Sequence, residues 1–116
     1  MKKQNIVKSS REFTAIIKDN RVIKSKYFSI YIKDNTFFFA RFGISIPTKT
    51  GNAVTRNKLK RQIKNIIDNM PFLFSNSKDY IIITRKEITN LTFEEIKLNF
   101  EKLVSNMEEK DEEKKY

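Results

Sequence analysis

One hundred and sixteen residues without a single cysteine or histidine suffice for one domain and exclude disulfides, thiolate or imidazole catalysis and Cys/His zinc sites. Twenty-four Lys and Arg against fourteen Asp and Glu leave a net charge of +10, unevenly spread: residues 108–116 hold five acids and three bases, so residues 1–107 carry +12. A field of one sign on a small domain concentrates a polyanion and speeds its capture. No run approaches the ~20 apolar residues of a spanning helix and Met1-Lys2-Lys3 precedes no signal-like apolar stretch, so the expected setting is cytoplasmic, with nucleic acid as partner and neither membrane nor a protein partner indicated.

Two glycines and two prolines in the whole chain predict nearly continuous regular structure with short joints. Ser9 and Glu12 fit a capping box, and Phe13, Ile16 and Ile17 recur at i, i+3 and i+4, predicting a first helix to about Asn20 with one apolar stripe. Arg21–Lys24 suits an edge strand. From Lys26 to Lys33 the period changes to two, with Phe28, Ile30 and Ile32 on one face and Tyr27, Ser29, Tyr31 and Lys33 on the other. Asp34-Asn35 supplies turn chemistry. A following strand over Phe37–Ile46, with Phe38, Ala40, Phe42, Ile44 and Ile46 on its apolar face, is expected to close an antiparallel hairpin.

After the Thr48–Gly51 loop a helix begins near Asn52 or Ala53, carries Leu59, Ile63, Ile66, Ile67 and Met70 as its core stripe, and stops before Pro71. Asp79–Thr84 is almost continuously apolar and β-branched, as in a strand buried on both faces. Thr92 and Glu95 form a second capping box with Leu91 and Ile96 as its hydrophobic staple; Phe93, Ile96, Phe100, Leu103, Val104 and Met107 make the last buried stripe. The expected fold is α+β: one domain over residues 1–107, followed by a charged, frayed tail over 108–116.

The chemistry concentrates between Lys49 and Lys64. From Arg41 to Lys64 there are seven bases and no acid, and Arg56, Lys60 and Lys64 recur at i, i+4 and i+8 along one helix edge, with Asn57 and Arg61 beside it. Like charges at that spacing repel by a few tenths of a kcal/mol per pair, which a bound polyanion relieves; a solvated helix face is the bland alternative. Gly51-Asn52 suits either a turn or an approach of phosphate to free helix amides. Phe13 sits on the apolar stripe of its helix and by pattern reads as core, while Phe37 and Phe39 share the mixed strand face with Tyr31. Tyr31 lies opposite the apolar strand face.

Gly51-Asn52-Ala53-Val54, Arg56-Asn57-Lys58 and Lys60-Arg61 closely resemble the signature helix of the bacterial ribonuclease P protein subunit, and the surrounding elements extend the resemblance to about Met107. Lys58 and Lys64 stand where arginine is commoner, keeping charge and losing the planar bidentate fork. The resemblance implies a ribosomal-protein-like (S5 domain 2-type) fold, with a small mixed four-stranded sheet packed with three helices and a left-handed β-α-β crossover, against the usual right-handed rule. It implies an accessory role: a catalytic RNA using Mg²⁺ hydrolyses one phosphodiester of precursor tRNA and releases the 5′ leader, and no residue of this chain is catalytic or a metal ligand. It implies contact of Lys49, Gly51, Asn52, Arg56, Asn57, Lys58, Lys60, Arg61 and Lys64 with ribonuclease P RNA. It also implies a leader cleft at Phe13, Ile17, Tyr31 and Arg85, Ile17 standing where a second aromatic is common. The alternatives are a ribosomal RNA-binding protein and, more remotely, a nuclease built on Asp68, Asp79 and Glu87.

Overall fold

The computed structural model describes residues 1–71 and 74–114, with side chains up to Asn106. The element order is α1 (Ser10–Lys18), β1 (Val22–Lys24), β2 (Phe28–Asp34), β3 (Arg41–Ser45), α2 (Ala53–Asp68), β4 (Lys78–Thr84) and α3 (Phe93–Lys114). The four strands form one sheet in the order β1-β2-β4-β3. β4 runs antiparallel to β2, with Tyr31 opposite Ile81, and parallel to β3, with Gly43 opposite Ile81.

This order corrects the expected hairpin. β2 and β3 are consecutive in sequence but are not neighbours, because β4 lies between them. The reason is burial: Tyr80, Ile81 and Ile82 are each at most 1 % exposed, and a strand apolar on both faces belongs in the middle of a covered sheet. The predicted second hairpin strand is also shorter than expected. Phe37–Ala40 do not form strand, and Phe38, expected on the apolar face, is 94 % exposed. β3 therefore lies at the sheet's edge, where the N-terminal segment covers it: Ile6 bridges to Phe42, and the Val7 amide donates to the Phe42 carbonyl (2.9 Å).

Each sheet face has its own core. On one, Phe28, Ile30, Ile32, Phe42, Tyr80 and Ile82 meet Leu59, Ile63, Ile66 and Ile67 of α2 and Ile96, Phe100 and Val104 of α3. The stripes expected for both helices are buried as far as side chains are described, except that Phe93 is half-buried against the core; Met107 lies outside the described side chains. On the other face α1 lays Ile16 on Ile81 and Val7, with Phe13, Ile17, Tyr31 and Ile83 half-buried around them.

The caps follow the sequence with one exception. Thr92 and Glu95 exchange both expected hydrogen bonds, the Thr92 amide donating to Glu95 Oε1 (3.0 Å) and the Glu95 amide to Thr92 Oγ1 (3.2 Å). At α1 only half the box forms: Ser9 Oγ accepts from the Glu12 amide (3.4 Å), while the Glu12 carboxylate turns to Arg41. α3 runs on to Lys114, through most of the segment expected to fray.

Candidate nucleic-acid interface

α2 starts at a well-made cap. Asn52 is extended and its Oδ1 accepts from the Thr55 amide (2.9 Å), while Arg56 Nε donates to the Gly51 carbonyl (3.2 Å). The guanidinium of Arg56 is thereby fixed against the turn that opens the helix. A Cβ on Gly51 would lie 3.1 Å from Thr55 Cγ2, so the glycine lets the chain pass close to its own first helical turn.

The buried stripe of α2 sets the azimuth of its bases. At about 100° per residue, Arg56, Lys60 and Lys64 flank that stripe on the side toward β3. Lys60 and Lys64 line a groove of about 320 Å³ with Val7, Phe13, Gly43 and Ile44. Arg56, Asn57 and Lys60 line its continuation along Ile44, Ser45 and Ile46, again with Phe13. Arg61 is exposed on the outer face of the helix, and Lys58 stands about 200° round from Arg56. These two are set apart from the groove the others share.

Phe13 reaches the groove because residue 43 is glycine. A Cβ there would sit 2.4 Å from Phe13 Cζ and 2.7 Å from Ile81 Cδ1. The ring thus occupies the place of a side chain on β3, half-buried between the α1 core and the basic edge of α2. Ile17 and Tyr31 lie in the same half-buried cluster. Further along that sheet face Arg85 Nη2 donates to Ser29 Oγ (3.4 Å), and Arg85 and Lys49 share a depression with Ser29, Ile83 and Lys86. The head of the signature segment and the far end of the aromatic cluster therefore meet.

Charge pairing separates structural bases from available ones. Arg41 gives Asp79 two hydrogen bonds (Nε to Oδ1, 2.9 Å; Nη2 to Oδ2, 2.7 Å), and its Nη2 also lies 2.7 Å from Glu12 Oε2. The hydrogen bond to Asp79 raises the guanidinium's pKa further above its already high value, against the opposing effect of burial, with Glu12 adding to the rise. Arg41, counted among the seven bases by sequence, is thus neutralised inside the fold. Lys49, Arg56, Lys58, Lys60, Arg61 and Lys64 have no acidic partner among the described residues.

The same accounting occupies two of the three carboxylates weighed as a metal-binding set, Asp68 and Asp79. Asp79 is taken by Arg41 and by Asn35 Nδ2 (2.7 Å), and Asp68 by the Met1 ammonium (2.9 Å). Among the described residues no three acids converge on a point where an ion could sit. Sequence reasoning missed this hub because its partners are far apart in the chain, and Arg41 stood in the middle of the strand expected over Phe37–Ile46.

A family model described as Ribonuclease P matches residues 1–108. The chain belongs to that family. The ribonuclease P protein component of Mycoplasma mycoides is 38 % identical over 108 residues, covering 92 % of this chain and 99 % of the relative. That of Halalkalibacterium halodurans is 37 % identical, covering 84 % and 82 %. The RNase P protein of Staphylococcus aureus superposes with a TM-score of 0.83 at 29 % identity (89 % and 94 % covered), and that of Thermotoga maritima with 0.79 at 25 % (86 % and 94 %). This family member is thus an RNA-binding subunit of ribonuclease P, a tRNA-processing ribonucleoprotein, and associates with its RNA. The mixed four-stranded sheet with three helices is the fold expected from sequence.

Proposed function

We propose that within ribonuclease P this chain grips the catalytic RNA through the unpaired bases of α2 and holds the single-stranded 5′ leader of precursor tRNA against the α1 face of its sheet. The observation that carries this reading is the shared groove: Phe13 stands beside Lys60 and Lys64, so a stacking ring and unpaired cations face the same strip of surface. Aromatic rings that take bases, next to cations that follow the phosphates, are the means by which proteins hold single strands. Ile17 and Tyr31 continue the strip toward Arg85, which together with Lys49 supplies charge at its far end.

The chain supplies position and charge, and the RNA supplies the chemistry with its Mg²⁺ ions. The protein's acids do not fit a metal role, since Asp79 and Asp68 already serve buried or terminal cations. Without histidine or cysteine, the chain also lacks the commonest proton-transfer and nucleophilic groups. The setting is the cytoplasm, with precursor tRNA as the second RNA partner.

The test mixes the protein, a bacterial ribonuclease P RNA and a 5′-labelled precursor tRNA at low Mg²⁺. Cleavage at the mature 5′ end that needs both macromolecules is the expected result; cleavage by the protein alone would overturn the accessory role. Tyr31→Ala and Phe13→Ala are expected to weaken precursor binding more than mature tRNA binding. Equal losses on both substrates would sink the leader assignment.

A further inference from the structure

The loop between β2 and β3 presents three consecutive phenylalanines, and neither core accounts for them. Phe38 is 94 % exposed and Phe37 42 %. The Phe37 and Phe39 rings stack on each other (centroids 5.3 Å apart, 22° between planes), and the Arg41 guanidinium lies 4.6 Å from the Phe37 centroid. The loop is braced. The Phe37 amide donates to Asn35 Oδ1 (2.9 Å), and Asn35 Nδ2 donates to both the Phe39 carbonyl (3.4 Å) and Asp79 Oδ1 (2.7 Å). A fully wet ring is thus held out on a loop tied to the centre of the sheet. Large exposed aromatics of this kind mark contact surfaces.

The position of the loop indicates what it contacts. Arg41, which backs Phe37, is joined through Glu12 to the first turn of α1, one residue from Phe13. The phenylalanine tip therefore stands at the Ser10 end of the strip on which the leader is proposed to lie. Between Thr36 and Ala40 there is no base, so the loop has no phosphate grip of its own and is poorly suited to structured RNA. It can offer a π-face to an unpaired base, an interaction that tolerates any sequence. A membrane contact would call for apolar residues interleaved with bases, and those are absent here.

We infer that Phe38, supported by the Phe37–Phe39 stack, is an additional stacking site for a leader nucleobase lying beyond those held at Phe13 and Tyr31. This inference rests on the leader reading given above. It makes the protein's grip on precursor tRNA depend on leader length.

The test titrates the reconstituted holoenzyme with precursor tRNAs of stepwise longer leaders, each carrying 2-aminopurine at its 5′ end, using wild type, Phe38→Ala and Phe38→Trp. In the wild type a longer leader is expected to tighten binding and quench the probe. Phe38→Ala is expected to lose that increment, roughly fivefold or more in affinity, with short-leader binding unchanged, and Phe38→Trp to retain it. Three results would each overturn the inference: an increment of the same size in Phe38→Ala, an equal loss with short leaders, or a loss confined to binding of ribonuclease P RNA without precursor. A loss of binding to anionic vesicles or of self-association, with the leader increment intact, also overturns it. A parallel titration of the wild-type holoenzyme with mature tRNA reports separately on the leader reading, which falls if precursor and mature tRNA bind alike.

Discussion

Two residues fix the site more than their chemistry suggests. Gly43 is required because Phe13 stands in its side-chain space, 2.4 Å from where a Cβ would be. Gly43→Ala is expected to push the ring off β3, destabilise the fold by about 1–3 kcal/mol as overpacking does, and weaken precursor tRNA more than mature tRNA. Urea midpoints and paired titrations check both parts. Arg41 is the second. Asp79 is 4 % exposed, and removing the partner of a buried charge costs about 3–5 kcal/mol. Arg41→Ala is therefore expected to lower the unfolding free energy by about 3 kcal/mol or more, whereas Lys58→Ala, on an exposed residue with no acidic partner, should stay within roughly 0.5 kcal/mol. Neither role could be read from sequence. Gly43 carries no turn or positive-φ signal, and the Arg41–Asp79 pair spans thirty-eight positions.

At the scale of elements, most of the structure was legible. The core stripes of α2 and α3 and the Thr92–Glu95 box follow from local periodicity and capping, which act within one or two turns. The β2–β3 hairpin did not hold, because strand neighbours are chosen by burial across the whole sheet and β4, apolar on both faces, outcompetes β3 for the place beside β2. The basic edge of α2 was visible as a spacing, but which of its members share a groove with Phe13 depends on how the helix sits on β3. Asn52 shows how an element end and a contact coincide. Asn52→Ala is expected to cost about 1 kcal/mol through the lost cap. Asn52→Asp should keep the cap and the stability while placing a negative charge at the head of the helix proposed to face the RNA, lowering RNA affinity. Thermal melts and RNA titrations on the same two proteins separate the effects.

For the whole molecule, charge decides the response to salt, and the free and bound states should respond with opposite signs. With +12 over residues 1–107, the compact free protein repels itself, and screening falls to a Debye length of about 8 Å at physiological ionic strength. Added salt is therefore expected to raise the melting temperature of the free protein. The same salt should weaken the complex, by ~0.7–0.9 log units per log salt for each phosphate neutralised. Melting curves and binding titrations over one salt series test both. A flat binding response would remove the unpaired bases of α2 from the interface.

The strand order also governs when the fold can exist during synthesis. β4, the sixth element of the chain, is the only strand among the described residues that touches both β2 and β3. A nascent chain that has emerged through residue 77 holds the residues for both margins of the sheet, β1 and β2 for one and β3 with its N-terminal cover for the other, and has nothing to lie between them. The groove beside Phe13, the acceptor that neutralises Arg41 and the core on the α1 face come into being together, when seven residues from Lys78 to Thr84 slide into the gap, and the opposite core then needs only α3. Translation past that point acts as a single commitment step: truncations ending before β4 should yield unfolded, strongly cationic chains, and no partly competent fragment should be recoverable from the N-terminal side.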